Sequence, residues 1–447
     1  MAYAVSGAMC KAIGLFATPF FTRLQSESDY GAFTLYMSVL GAASVISSAV
    51  SSGSSVYKGL SVFRERKGEY LSSLLVASLG FWGVICILLF AFSGVLGIGY
   101  GITLAICLQL LCDSVVGVRM TDARFHYRYR EVGTISIFES LGSAALAIFI
   151  LSLYGGGYTV RIFSMLLVSL SAAVYSLLKI LGRGKAKRDI TAYSLKSSLP
   201  LLPHSIESAL STQADKFIFT AMLGTAALAR YSVVHSLGVG LTFLVGALGS
   251  ALNPWIIRRL AAGEEERIGE ICTPIFKGLS AATVFLIALA PEVMRILAPP
   301  EYSEAIAAIL PIALSVLPSL VISLGAVILI NSEKGAHTAY ASLVTLASGI
   351  LLNLILIPRL NYFGAGLALL LSQILGSGVT LYFLKKASLA DILPKKRIIC
   401  YFSLAVLLGS IALLLYSYPA LRILLLSFPA VLLLGSFFSA ERLVRES

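Results

Sequence analysis

Charge is scarce in this chain. Only 13% of its 447 residues are Asp, Glu, Lys or Arg, against about 25% in a typical soluble domain. Catalytic signatures are missing too. There is no GxxxxGK[ST] run to cradle a nucleotide phosphate, no HExxH to hold zinc and no GxSxG nucleophile turn. The four histidines (His126, His204, His235 and His337) share no metal-ligand spacing. Six cysteines lie in or beside apolar runs and none forms a CxxC pair. They read as small apolar fillers, neither disulfides nor zinc ligands. No N-x-[ST] acceptor occurs, which fits a bacterial source. Long polar segments are absent as well, so no soluble domain is expected. The long outer loop with Arg and His expected of a membrane glycan polymerase or ligase is missing with them.

What is present is apolar: 58% of residues are hydrophobic and the mean hydropathy is +0.90. A bilayer core of about 30 Å takes roughly 20 apolar residues per helix. Fourteen such runs can be read, at 3–24, 31–55, 70–93, 99–118, 134–154, 158–181, 196–223, 228–254, 272–297, 302–332, 337–358, 362–386, 398–417 and 420–440. The first contains Lys11 and Pro19 and has no basic region ahead of it, so it is expected to be a retained span and not a cleaved signal. The net charge of +12 would suggest nucleic acid in a soluble protein. Here its distribution points elsewhere. Of 34 Lys and Arg, 26 fall in the even-to-odd breaks and the tail, 6 in the other breaks, and Lys11 and Lys216 within spans. That bias is the positive-inside pattern, and it predicts an even span count with both termini cytoplasmic.

Weak internal similarity suggests a repeat. Span 2 opens on Tyr30-Gly31-Ala32 and span 8 on Ala229-Arg230-Tyr231, while Gly155-Gly156-Gly157 before span 6 echoes Gly364-Ala365-Gly366 at span 12. The expected architecture is an all-α membrane protein with two six-helix bundles in pseudo-twofold parallel repeat and two C-terminal helices. The bundles are placed at 1–181 and 196–386, joined by a basic linker at 182–195, with the additional helices and a short tail at 387–447. Two bundles around a cleft is a transporter plan.

Ionisable side chains inside spans are costly, so each is a functional candidate. Span 7 carries His204, Glu207, Ser208, Ser211 and Asp215 at steps of three or four, hence on one helical face. Ser205, Thr212 and Lys216 widen this stripe, and Pro200 and Pro203 could make the helix start a hinge. In span 1, Lys11 lies between Gly7 and Gly14 and either offers a point charge to phosphate or pairs with Glu139 or Asp113. Glu139 shares one face of span 5 with Ser136, Ser140 and Ser143. Asp113 is expected to meet the nearby Arg119. Arg23 and Arg230 stand at equivalent outer ends, either to hold a pyrophosphate or as solvated rim charges. His235 reads as a packing residue or a proton carrier. Asn331 and Asn353 read as interhelical hydrogen-bonding groups.

Three stretches resemble Wzx-type polysaccharide flippases. Pro19–Tyr36 (PFFTRLQSESDYGAFTLY) is similar to their first hairpin. Leu199–Pro254 resembles their seventh and eighth helices, above all Ala214-Asp215-Lys216-Phe217-Ile218, Leu223-Gly224 and Tyr231-Ser232-Val233. Asn353–Lys386 resembles their eleventh and twelfth. The resemblance implies the multidrug/oligosaccharidyl-lipid/polysaccharide exporter fold in a bacterial inner membrane. It implies alternating access that flips undecaprenyl-pyrophosphate-linked oligosaccharide toward the periplasm, for O-antigen, lipopolysaccharide or another surface glycan. A polymerase and a chain-length regulator are the implied partners. No cofactor is implied beyond a coupling ion, Na⁺ or H⁺.

The resemblance also distributes roles. Lys11, Arg23, Lys216 and Arg230 become candidates for phosphate, and Glu207, Asp215 and Glu139 for the coupling cation. His204, Ser208, Ser211, Thr212 and His235 become cavity-lining candidates. One departure stands out: the spans hold two cations (Lys11, Lys216) against four acids (Asp113, Glu139, Glu207, Asp215), whereas the relatives' central cavity is usually cationic. Three other readings stay open: a cation-coupled multidrug antiporter of the same superfamily, a membrane glycan polymerase or ligase, and a non-catalytic scaffold.

Overall fold

The structure, a computed structural model, describes residues 2–51, 54–94, 97–181, 184–199, 202–332, 334–389 and 392–445. Among these residues every regular element is helical. In chain order they are α1 (Ala2–Leu24), α2 (Glu27–Ser51), α3 (Ser54–Val62), α4 (Lys67–Phe92), α5 (Tyr100–Phe125), α6 (Tyr129–Tyr154), α7 (Tyr158–Leu181) and α8 (Arg188–Ser198). Then follow α9 (Leu202–Ala261), α10 (Glu265–Leu297), a 3₁₀ segment Pro300–Ala308 leading into α11 (Ile309–Leu314), α12 (Val316–Asn331), α13 (Ala336–Lys386), α14 (Lys395–Leu414) and α15 (Pro419–Arg445).

Two of these are bent rods. α9 turns at Gly224 (φ 84°, ψ 177°) and α13 at Asn361 (φ 47°, ψ −125°). A straight 51-residue helix like α13 would reach about 77 Å at 1.5 Å per residue. That is more than twice the ~30 Å hydrocarbon core, so each arm has a span's length. Ten helices among the described residues are long and apolar enough to cross a membrane, with a shorter apolar helix at Pro419–Leu433. With α9 and α13 each divided at its bend, this is compatible with the fourteen runs of the sequence.

The side-chain distribution is that of a lipid-solvated protein. Ile87, Leu178, Phe149 and Leu414 are exposed, while Ser73, Ser78, Ser164, Ser176 and Thr283 are fully buried. Small hydroxyl residues let helices approach closely and bond across or along them, and large apolar ones face lipid. The chain is a multi-pass membrane protein.

It divides into two compact units. The first comprises residues 1–220 with 225–229, and the second residues 221–224 with 230–447. In the first, α5 is the central helix and packs on α2, α4, α6 and α7. Leu74, Leu110, Val118 and Ile180 close its core. The Trp82 indole donates to the Cys107 carbonyl (2.7 Å), Ser47 and Ser114 bond each other (3.1 Å), and the Thr121 hydroxyl donates to the Ser51 carbonyl (2.9 Å). These tie α4 and α2 to α5. In the second unit α10 plays the central part, packed against α14, α15 and α11. There Glu292 pairs with the buried Arg422, whose guanidinium lies 5.6 Å from the Tyr416 ring. All six cysteines are unpaired.

Gly31 is fixed by a close approach. At Gly31 a Cβ would overlap the Thr225 carbonyl, within the first unit. At Gly80 on α4 a Cβ would meet nothing within 4 Å. Gly31→Ala should therefore destabilise the detergent-purified protein by about 1–3 kcal/mol, as overpacking does, whereas Gly80→Ala should not. Equal melting temperatures for the two variants would contradict the packing of α2 on this carbonyl.

Candidate functional site

A cavity of about 430 Å³ opens within the first unit, walled by α1, α2, α5, α6 and α7. Its apolar side comes from Ile13, Ala17, Phe21, Phe33, Met37 and Met165. Its polar side comes from two carboxylates, Asp113 and Glu139, together with Gln109, Ser136, Ser140, Ser143, Ser169 and Arg161. Helical periodicity builds both acidic walls. Ser136, Glu139, Ser140 and Ser143 fall at three- and four-residue steps on α6, and Gln109 and Asp113 are one turn apart on α5.

The hydrogen bonds sort the polar groups. The Gln109 amide donates both to Asp113 Oδ1 (2.9 Å) and to Ser169 Oγ on α7 (2.8 Å). Its buried Oε1 has no partner among the described residues. The Ser143 hydroxyl donates to the Glu139 carbonyl (2.6 Å), and that of Ser140 to the Cys10 carbonyl on α1 (3.3 Å). Carboxylate, amide and hydroxyl oxygens around one space suit a hard monovalent cation or a proton. Among the described residues no three His, Cys, Asp or Glu come together to hold a metal.

Arg161 is held differently. Its guanidinium lies 3.8 Å from the Phe21 ring and 3.6 Å from the Phe33 ring, with Tyr30 at 5.2 Å, and donates to Gln25 Oε1 (3.2 Å). Cation–π contact worth about 0.5–2 kcal/mol per ring offsets part of the cost of placing this charge there. The cavity thus carries two acids and one aromatic-sandwiched base.

Sequence reasoning located part of this. The Glu139 serine face lines the cavity. Asp113 is a cavity residue and does not pair with Arg119, which instead binds Asp122 (3.2 Å) and reaches across to Glu131 on α6 (2.5 Å). Gln109, Ser169 and Arg161 were missed. Gln109 carried a signal, four residues before Asp113; Arg161 counted only as one basic residue in an outer break.

The remaining candidates lie elsewhere. Lys11 is exposed on α1 and does not line the cavity, and at Gly7 and Gly14 beside it a Cβ would meet nothing within 4 Å. Arg23 is exposed and donates to the Pro19 carbonyl (3.0 Å). On α9, Lys216 contacts its neighbour Asp215 (3.4 Å) and donates to the Thr212 carbonyl (3.1 Å). The Thr212 hydroxyl donates to the Ala209 carbonyl (3.1 Å), and Ser211 is exposed. Arg230 pairs with Glu304 in the second unit, where the His235 ring lies 5.5 Å from that of Tyr231. Asn331 and Asn353 bond carbonyls of their own helices. Pro200 and the side chains of Pro203, His204, Glu207 and Ser208 lie outside the described residues.

The family described as "Polysaccharide biosynthesis protein" matches residues 1–259, more than half of the sequence. The chain belongs to this family. No curated protein sequence matches it significantly. Solved structures share its fold. A structure titled "Lipid II flippase MurJ, inward closed conformation" aligns over 98% of this chain and 98% of its own, with TM-score 0.73 at 13% identity. An inward-facing multidrug resistance MATE transporter of the MOP superfamily aligns over 85% and 95%, with TM-score 0.59 at 12% identity. An outward-facing MATE structure aligns over 88% and 95%, with TM-score 0.58 at 13% identity. At these identities the likeness establishes the fold: this polysaccharide biosynthesis protein has the fold of the MurJ and MATE structures, as the resemblance to Wzx-type flippases implied.

Proposed function

We propose that the chain is a secondary transporter that flips undecaprenyl-pyrophosphate-linked oligosaccharide from the cytoplasmic to the periplasmic face of a bacterial inner membrane. The flipped unit would feed O-antigen or another surface polysaccharide, in company with a polymerase and a chain-length regulator. The observation that carries this reading is the end-to-end likeness to a lipid II flippase fold, 98% of each chain, in a member of a polysaccharide biosynthesis family. The 26-to-6 partition of basic residues supports cytoplasmic termini. The reading is of a transporter and not an enzyme, with no cofactor beyond the coupling ion.

Coupling is assigned to the cavity of the first unit. Asp113 and Glu139 take up H⁺ or Na⁺, and Arg161 is the fixed positive charge facing the same space when they are empty. Lys11, Arg23, Lys216 and Arg230 remain the cations assigned to the pyrophosphate. A pyrophosphate reaching Lys216 or Arg230 has to compete with Asp215 or Glu304 for them.

The test is complementation. Expressed in a bacterium lacking its O-antigen flippase, this chain should restore the lipopolysaccharide ladder on a gel. If the protein is in the membrane and neither that host nor the native glycan pathway regains product, flipping is refuted. A second reading, a cation-coupled multidrug antiporter, is favoured by the two MATE alignments and by an acidic cavity of a size that takes small organic cations. It predicts drug resistance without a ladder.

A further inference from the structure

The turn between α5 and α6 is built with unusual care. Three residues, 126–128, connect the helices. The Tyr127 amide donates to the Arg124 carbonyl (3.1 Å) and the Arg128 amide to the Ala123 carbonyl (2.8 Å), which closes the end of α5. Tyr127 therefore sits where the left-handed residue of a helix C-cap belongs, at φ 54°. Glycine is the usual residue there, since a side chain at positive φ is strained. The chain itself uses glycine at the end of α9, where Gly263 has φ 71° and the Glu264 amide donates to the Arg259 carbonyl (3.0 Å).

Strain at Tyr127 is held in place from below. Asp122, with no exposed surface, pairs with Lys67 (2.7 Å), Arg119, His126 (3.2 Å) and Arg128. Nothing in this arrangement uses the Tyr127 ring. That ring is 80% exposed, Tyr129 is 51% exposed, and Arg124 and Arg130 are exposed on either side. Neither of these two guanidiniums makes an ion pair with a described residue. Among the described residues no contact accounts for an aromatic side chain at this strained, outward position.

We propose that the α5–α6 turn is a docking surface for the headgroup of the lipid-linked sugar, entered before the substrate reaches the transport path. The proposal rests on the flippase reading, which places this turn at the cytoplasmic surface. Its chemistry fits one occupant. Arginines at the two ends match a pyrophosphate, because a guanidinium fork binds phosphate oxygens through paired N–H donors. Tyrosines between them sit at headgroup level, where a phenol hydroxyl donates to the same phosphate oxygens. Arg128 is already committed to Asp122 and Glu131, so recognition falls to Arg124 and Arg130.

The experiment uses the purified full chain in phosphatidylcholine nanodiscs and measures saturation binding of undecaprenyl pyrophosphate. The double variant R124Q/R130Q should raise Kd at least about tenfold, since it removes two charge-assisted contacts. Y127G should raise Kd about threefold while melting no lower than the wild type, because glycine suits the position and leaves the hub intact. Binding should weaken with salt. Wild-type Kd in the double variant overturns the proposal. So does equal displacement of the probe by phosphatidylglycerol, which would make the surface a generic anchor to bulk lipid. The two readings fail separately. A chain that complements while R124Q/R130Q binds normally loses the docking surface and keeps the transport. A chain that binds the probe through these residues and never complements keeps the surface and loses the transport.

Discussion

Glu139→Gln should cut ion-driven transport at least about fivefold while leaving the protein folded in the membrane. Glutamine keeps the volume and hydrogen-bonding reach of the side chain and removes its ability to ionise. Glu139 faces the cavity beside Asp113, Ser136 and Ser140, and among the described residues its carboxylate is in no ion pair. Coupling between two ligands is typically about 1–3 kcal/mol, a factor of roughly 5–150. The response of transport to an imposed gradient should therefore fall at least about fivefold in Glu139→Gln, with Asp113→Asn behaving alike and Glu139→Asp retaining part of the response. Proteoliposomes given a proton gradient or a sodium gradient separate the two ions, because only the coupling ion's gradient drives the wild type. Asp215→Asn is the matched comparison. Normal coupling in Glu139→Gln with loss in Asp215→Asn would move the coupling site to α9.

How far this cavity could be foreseen follows from the range of the interactions that make it. The helical class and the runs of apolar residues are local properties, visible in any twenty-residue window, and the basic asymmetry of the breaks is a count. The Glu139 face is also local, since three- and four-residue steps bring Ser136, Ser140 and Ser143 to the same wall. Asp113 shows where locality ends. Six residues separate it from Arg119, but one and two-thirds turns of helix put them on different faces. Arg119 finds Asp122 three residues on and Glu131 on the next helix instead. Arg161 is less legible still. The rings that sandwich it, Phe21 and Phe33, lie on two helices more than a hundred residues earlier. Nothing in its own segment distinguishes it from a solvated rim charge. The bend at Asn361, by contrast, was legible, because it falls in the break between the runs 337–358 and 362–386 and asparagine is among the few non-glycine residues that tolerate positive φ.

Asp122→Asn should be among the most damaging single substitutions outside the cavity. Asp122 is fully enclosed and takes contacts from Lys67 on α4, Arg119 on its own helix, and His126 and Arg128 in the turn. Arg119, 3% exposed, and Arg128 share Glu131 as their second acid. Three permanent cations thus stand against two carboxylates, already one positive charge in excess. Asparagine at 122 would leave Glu131 alone against all three. Breaking a buried pair by removing one partner costs about 3–5 kcal/mol, because the remaining charge stays desolvated. Salt cannot restore it, since screening acts on exposed charges. The expected result is a sharp fall in monodisperse protein and in melting temperature on detergent size-exclusion chromatography. A shift within about 2 °C, less than 1 kcal/mol produces in a domain of this size, would contradict the hub. The double substitution Asp122→Asn with Lys67→Met should recover part of the loss, because it removes one of the cations left unpaired. That recovery distinguishes a charge hub from a side chain needed only for its shape. It also bears on the α5–α6 turn: if Asp122→Asn, Lys67→Met restores stability while undecaprenyl pyrophosphate binding stays weak, the hub's second task is to hold Tyr127 and its flanking arginines in the geometry that meets the headgroup.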